Sequence, residues 1–201
     1  MIETIKIDLL RHGEPEGGSR YRGNRIDDPL TKNGWQQMWA GVGYKQTWDV
    51  IITSPLLRCA EFANELSEQR NIPVVVDERF KEIGFGVWEG KTKSELKINM
   101  EKEFNAFYAD PVFNTPDGAE PVTDFFVRVA AAFNNVRTQH AGKNILIIAH
   151  AGVIRAIVTH ALNAPVECMY KLNVLMGHVS RISCTENKVI LERLNFQLRN
   201  E

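Results

Sequence analysis

A chain of 201 residues, 44% hydrophobic and 24% charged, has the size and composition of one globular domain and not of a disordered or fibrous protein. Lys plus Arg number 24 and Asp plus Glu 25, so the formal net charge is −1. That balance excludes a surface built throughout for nucleic acid or an anionic membrane, while leaving room for a local basic pocket.

The cysteines Cys59, Cys168 and Cys184 are odd in number, widely spaced and without a C-x-x-C pair. A disulfide framework or a cysteine-based zinc site does not fit them, and a reducing, cytoplasmic setting does. The first apolar stretch is interrupted by Lys6 and Asp8 and ended by Arg11-His12, which is unlike a secretory signal. No run of about 18 apolar residues is present, so no membrane span is expected.

Short Val/Ile/Leu-rich runs predict strands at Thr4–Leu10, Val50–Thr53, Pro73–Val76 and Asn144–Ala149. Their near-continuous apolar character suits strands covered on both faces. Helices are expected between them. Thr31 caps one running through Met38 and Val42. Ser54-Pro55 reads as N-cap and first helical position of the next, with Leu56, Ala60, Ala63 and Leu66 at helical spacing. Pro121 opens a third, with Val122, Phe126, Val129, Ala130, Phe133 and Val136 on one face. A fourth follows His150 through Val153, Ile154, Ile157 and Val158. Val179–Cys184 and Val189–Leu194, joined by Thr185-Glu186-Asn187-Lys188, predict a C-terminal antiparallel hairpin. Residues 91–118 read as partly helical, a lid-like insertion over one side of the core. The alternation implies an α/β fold of three layers, α/β/α, with a mainly parallel sheet and one domain over residues 1–201.

In such a sheet, ligands bind beyond the carboxyl ends of the strands. Arg11-His12-Gly13 follows the first strand, Ser54-Pro55-Leu56-Leu57-Arg58 the second and His150-Ala151-Gly152 the fourth, with Glu82 a few residues beyond the third. Taken singly, each has an ordinary structural explanation. Together they form a site for a dianion. Arg forks match phosphate oxygens, and Arg58 sits where a helix N-terminus already favours an anion. The Ala151 backbone N–H at the next helix start can donate as well. A neutral His12 is the candidate nucleophile, provided its other ring nitrogen gives its proton to an acceptor. Gly13 is expected to let the backbone turn tightly beside the phosphate. His150 would stabilise transition-state charge, and Glu82 would serve as general acid and then general base. Walker and dinucleotide phosphate loops are absent. Two arginines in the cluster would repel a cation, so neither metal nor other cofactor is expected.

These segments resemble the histidine phosphatase superfamily, also called the phosphoglycerate-mutase-like family. Arg11-His12-Gly13, Thr53-Ser54-Pro55-Leu56-Leu57-Arg58, Glu82 before Gly84-Phe85-Gly86-Val87-Trp88-Glu89-Gly90, and Ala149-His150-Ala151-Gly152-Val153-Ile154-Arg155 follow that family's motif order. The resemblance implies a phosphohistidine intermediate on His12 and no metal cofactor. Many members carry Ser or Thr at the position of Pro15 and a phosphate-holding Asn at that of Gly18. Here Gly17-Gly18 leaves that contact to backbone N–H groups, Arg20 or Arg22.

The segment Gly17-Gly18-Ser19-Arg20-Tyr21-Arg22-Gly23, with Asp28-Pro29-Leu30-Thr31, resembles the α-ribazole-5′-phosphate phosphatase branch, whose members act in cobalamin biosynthesis. Arg20, Tyr21, Arg22 and Gly23 are therefore expected to form a substrate-binding lip, with Arg22 as the first contact and Tyr21 stacking on a ring. Trp88, Phe104, Phe107, Tyr108 and Phe113 suggest either further walls or packing of the 91–118 segment onto the core. The expected partner is a small-molecule phosphate ester. A phosphoglycerate mutase or a broad-specificity sugar or nucleotide phosphatase is the alternative. The hairpin offers an edge for a homodimer.

Overall fold

The computed structural model describes residues 4–44, 47–186 and 188–198. In chain order the elements are β1 (Ile5–Arg11), α1 (Lys32–Val42), β2 (Val50–Thr53), α2 (Leu57–Arg70), β3 (Val74–Val76), α3 (Lys93–Asn99), α4 (Glu101–Ala109), α5 (Val122–Gln139), β4 (Asn144–Ala149), α6 (Ala151–Ala161), β5 (Val179–Cys184) and β6 (Val189–Phe196). Short 3-10 turns at Glu78–Phe80, Gly86–Trp88 and Val166–Lys171 punctuate the connections.

The strands form one sheet in the order β3-β2-β4-β1-β5-β6. The β3, β2, β4 and β1 strands run parallel, and β5 and β6 are antiparallel additions, as the hairpin pattern predicts. Thr185 N–H donates to Lys188 O at 2.8 Å across the hairpin turn, while Asn187 lies outside the described residues.

Alternation along the strands divides the core. Ile5, Ile7, Leu9, Ile145 and Ile147 pack on one face with Phe125, Val129 and Phe133 of α5 and Val153, Ile154 and Ile157 of α6. Leu10, Ile51, Leu146 and Ile148 pack on the other face with Met38 and Val42 of α1 and Phe62, Ala63 and Leu66 of α2. The result is three layers, α/β/α. Residues of α3 and α4 join the first face, where Leu96, Phe104 and Phe107 are buried beside Trp88. Among the described residues no helix is long and apolar enough to cross a membrane.

Local signals act as expected at α1, where Thr31 Oγ1 accepts from Gly34 N at 2.9 Å, and at α5, which starts directly after Pro121. Two expectations need correction. Helix α2 is capped by Leu56 and begins at Leu57, so Ser54 and Pro55 precede it. The Ser54 hydroxyl is turned to His150 and to the nearby Leu56 N–H instead of to a helical amide. The β3 strand is not covered on both faces: it lies at the sheet edge, and Val76 is 54% exposed.

Register sets the working end of the sheet. Arg11 lies opposite Ala149, and Thr53 opposite Ile148. The ladder continues past the strand ends. His12 N–H donates to Ala149 O and Ser54 N–H to Ile148 O, each at 3.0 Å. His12, Ser54 and His150 are thereby held at one level by backbone bonds to the central strand.

Candidate active site

A cleft of about 350 Å³ opens at this end of the sheet. Its lining includes Arg11, His12, Arg58, Glu82 and Ala151, together with Arg20, Tyr21, Arg22 and Gly23.

His12 is 6% exposed, and its Nδ1 lies 2.7 Å from Gly13 O. A carbonyl only accepts, so Nδ1 carries the proton and Nε2 keeps its lone pair. Burial, followed by the fields of Arg11 and Arg58, holds the His12 pKa well below the ordinary histidine value. The imidazole is therefore neutral and able to act as a nucleophile.

Arg11 donates from Nη1 to Val174 O at 2.6 Å, and its buried Nε has no protein partner. Burial lowers its pKa to about 10, against an opposing pull from Glu82. Arg58, in the first turn of α2, is 1% exposed. Its Nη1 donates to Ile26 O and its Nη2 to Gly23 O, each at 3.0 Å, and its Nε is also unpaired. The two guanidiniums are anchored at one end and retain an unsatisfied N–H at the other. The α2 N-terminus itself is already occupied, since Leu57 N–H donates to Asp27 Oδ1 at 2.7 Å. That helix end is thus not open to an anion as expected, whereas the Arg58 side chain lines the cleft.

Glu82 is fixed by the backbone: Oε1 accepts from Ile83 N–H at 3.0 Å and Oε2 from Gly152 N–H at 3.1 Å. Gly152 is required at this contact, because a β-carbon there would meet the Glu82 carboxylate. Ala151, the first residue of α6, lines the cleft beside it with an unpaired first-turn N–H. Gly13 has a different task from the one expected. Its φ is not in the left-handed region, and a β-carbon would lie 2.7 Å from Gly34 Cα. Its smallness lets α1 approach β1.

His150 is fully buried and does not line the cleft. It stands behind His12, with the two imidazole centroids 5.2 Å apart at 61°. Its Nε2 is 2.7 Å from Ser54 Oγ, and Cys59 Sγ packs against the ring at 3.7–3.9 Å. Burial, then Arg58, His12 and Arg11, push its pKa well below the ordinary value.

The lip differs from expectation. Arg22 borders the cleft, but its guanidinium is turned into its own loop. Nε donates to Asp28 at 2.8 Å, Nη1 to Arg20 O at 3.3 Å, and Nη2 to the carbonyls of Pro15, Glu16 and Gly18. Arg20 also bonds Asp28 at 2.8 Å. Gly23 serves through its carbonyl, which holds Arg58. Tyr21 meets Phe85 and Trp88 edge-on, and its hydroxyl is 2.6 Å from that of Tyr108. Trp88, Phe104 and Phe107 are core packing, whereas Phe113 is 83% exposed and no part of the cleft.

Sequence reasoning did not select Arg155, Lys93, Asn173, Val174 or Met176, all of which border the cleft. Arg155 lies one helical turn beyond Ala151 and was findable from that spacing. Its Nε donates to Leu172 O at 2.9 Å. Residues 173–176 carry no local signal. Among the described residues no cluster of three or more His, Cys, Asp or Glu could hold a metal ion.

The sequence pattern of the histidine phosphatase superfamily (branch 1) matches residues 7–197. The chain is 26% identical over 195 residues to phosphoserine phosphatase 1 of Hydrogenobacter thermophilus, covering 95% of this chain and 92% of that protein. It is 26% identical over 199 residues to the adenosylcobalamin/alpha-ribazole phosphatase of Escherichia coli, covering 95% and 96%. The alpha-ribazole phosphatase structure from Shigella flexneri superposes with a TM-score of 0.83 at 26% identity, covering 95% of this chain and 96% of that one. The chain also matches longer mycobacterial proteins at 28% identity and spans 49% of their length.

Proposed function

From the premise that this chain belongs to the histidine phosphatase superfamily, branch 1, we propose that it is a phosphomonoesterase acting through a phosphohistidine on His12. One observation carries the reading. A neutral His12, with its proton committed to Gly13 O, lies in a cleft where Arg11 and Arg58 each keep an unsatisfied buried N–H.

In this reading, Arg11, Arg58 and the Ala151 N–H bind the phosphoryl oxygens. His12 Nε2 attacks phosphorus as the ester P–O bond breaks. Protonated Glu82 delivers its proton to the leaving oxygen. The resulting carboxylate then takes a proton from the water that attacks the phosphohistidine, which releases phosphate and restores both groups. His150 supports the charge on phosphorus from behind His12. Burial favours this chemistry, because fixed donors in a site of low dielectric stabilise developing charge without reorganising.

For the substrate we propose α-ribazole 5′-phosphate, with α-ribazole as the leaving group. The loop resemblance, the Escherichia coli relative and the Shigella flexneri neighbour support this, as does the Tyr21, Phe85 and Tyr108 wall, which suits a ring. Residues 91–118 would contribute Tyr108 to that wall within a single working unit, and the protein would be cytoplasmic, in keeping with its free thiols. The exposed β6 edge would be the dimer contact, which sedimentation would test.

The decisive experiment measures kcat/KM without added metal for α-ribazole 5′-phosphate, O-phosphoserine, 3-phosphoglycerate and an aryl phosphate. Hydrolysis that His12→Ala abolishes supports the mechanism. Full activity in that variant overturns it. A preference for phosphoserine overturns the leaving-group assignment alone.

A further inference from the structure

The mechanism above leaves one buried hydroxyl in the site without a task. Ser54 is fully buried at the end of β2, and its Oγ lies 2.7 Å from His150 Nε2. The same oxygen accepts from Leu56 N–H at 3.3 Å.

A hydroxyl has one proton and two lone pairs. Leu56 occupies one lone pair, and the proton still needs an acceptor. His150 Nε2 is the acceptor within reach. The opposite assignment, with Nε2–H donating to Oγ, strands the Ser54 proton inside the protein. It also leaves a bare lone pair on Nδ1, which would repel an incoming anion.

Among the described residues, Nδ1 has only Cys59 Sγ within reach, at 3.9 Å, and the same sulfur lies 3.7 Å from Nε2. The Cys59 S–H is itself directed at Ala149 O, at 3.5 Å. An N–H at Nδ1 is therefore a buried donor with only that sulfur as a weak acceptor, next to the ring of His12. In the phosphohistidine reading, a phosphoryl group carried on His12 would bring its oxygens toward the His150 ring, whose centroid is 5.2 Å from that of His12.

We infer that Ser54 is a positioning residue: by donating to Nε2 it fixes His150 as the Nδ1–H tautomer, so that a neutral imidazole donates a hydrogen bond to the phosphoryl group on His12. The tautomer assignment stands on the geometry alone. Its catalytic consequence rests on the phosphohistidine reading. Burial next to Arg58, His12 and Arg11, which disfavours an imidazolium at 150, supports a neutral donor.

The position also explains the spacing of the motif. Ser54 directly follows the β2 end, where Ile148 O pins its N–H at 3.0 Å, and Arg58 lies one helical turn further on. One short segment thus supplies a phosphate-binding cation and the group that orients the second histidine.

The test uses protein labelled with 15N in histidine and long-range 1H–15N correlation spectra, with His150 assigned by its loss in His150→Gln. The expected spectrum of the unmodified protein shows His150 protonated at Nδ1. Ser54→Ala should shift proton occupancy toward Nε2 and lower kcat by about tenfold to a hundredfold, with KM little changed. In a His150→Gln background the same substitution should cost nothing further. Ser54→Thr, which keeps the hydroxyl, should retain the Nδ1–H signal. A His150 protonated at Nε2 in the unmodified protein overturns the inference. So does a Ser54→Ala penalty that persists undiminished with His150→Gln. If no phosphate ester is hydrolysed at all, the function fails while the spectrum still decides the tautomer.

Discussion

Replacing Gly152 with Ala should separate proton transfer from phosphate binding. A β-carbon at 152 would lie 3.1 Å from Glu82 Cδ and closer still to Oε1, inside any separation real β-carbons adopt, and 3.3 Å from Phe125 Cζ. The obstructing atom is the end of a flexible side chain, so the carboxylate moves and the backbone stays. A displacement of roughly 1 Å costs about a hundredfold in rate when a catalytic group must be aligned. That corresponds to about 2.7 kcal/mol in the barrier.

The fold should survive, because Ala is favoured over Gly within a helix by up to about 1 kcal/mol. The three atoms nearest the added methyl belong to Glu82 and Phe125 and not to Arg11, His12 or Arg58, so competitive inhibition by inorganic phosphate should be nearly unchanged. The assay compares Gly152→Ala with Glu82→Gln on an aryl phosphate, whose leaving group needs little protonation, and on an alkyl phosphate, whose leaving group needs it. Loss should fall mainly on the alkyl ester. Unchanged alkyl turnover in a folded variant would refute the placement of Glu82 as the acid.

Arg22→Met should lower stability by about 2–4 kcal/mol in urea titrations, because it leaves Asp28 with Arg20 alone and strips the carbonyls of Pro15, Glu16, Gly18 and Arg20 of their guanidinium donor. Arg22→Lys should rescue little, since one ammonium cannot bond both the carboxylate and the carbonyls. A further consequence concerns pH. His12 and His150 have folded pKa values depressed by burial, so the unfolded chain binds the extra protons below about pH 6.5. Their contribution to stability is present above that pH and lost as pH falls through it. Denaturant titrations at pH 7.5 and 5.5 should show a shallower decline for His12→Gln than for the unmodified protein, and equal slopes would refute a buried neutral His12. Finally, rapid quenching in alkaline detergent with a 32P-labelled ester should trap an alkali-stable, acid-labile phosphoenzyme that His12→Ala lacks. A label that persists in that variant assigns the nucleophile elsewhere.

Much of this site is legible in sequence because its parts are local events at strand ends. Each chemistry-bearing residue follows a short Val/Ile/Leu run, and a parallel sheet aligns such ends without further information. Thr31 and Pro121 mark helix starts through interactions within a few residues. Arg22 shows where that reading stops. Its type and place suggest a substrate contact, but five loop groups claim its nitrogens, and only the path of residues 15–28 reveals them. Ser54 shows the same limit. Its chemistry suits a helix cap, yet a histidine 96 residues away takes its hydroxyl.

By itself, then, the sequence determined the α/β order of elements and which residues stand at the carboxyl edge of the sheet, since hydrophobic period and turn chemistry act over a few residues. Tertiary structure alone decided which of those side chains face the cleft and which are spent inside. Those choices depend on partners far along the chain, such as Val174 O holding Arg11 across 163 residues and His150 sealed behind His12. A polar group is free for chemistry only where packing leaves it without such a partner.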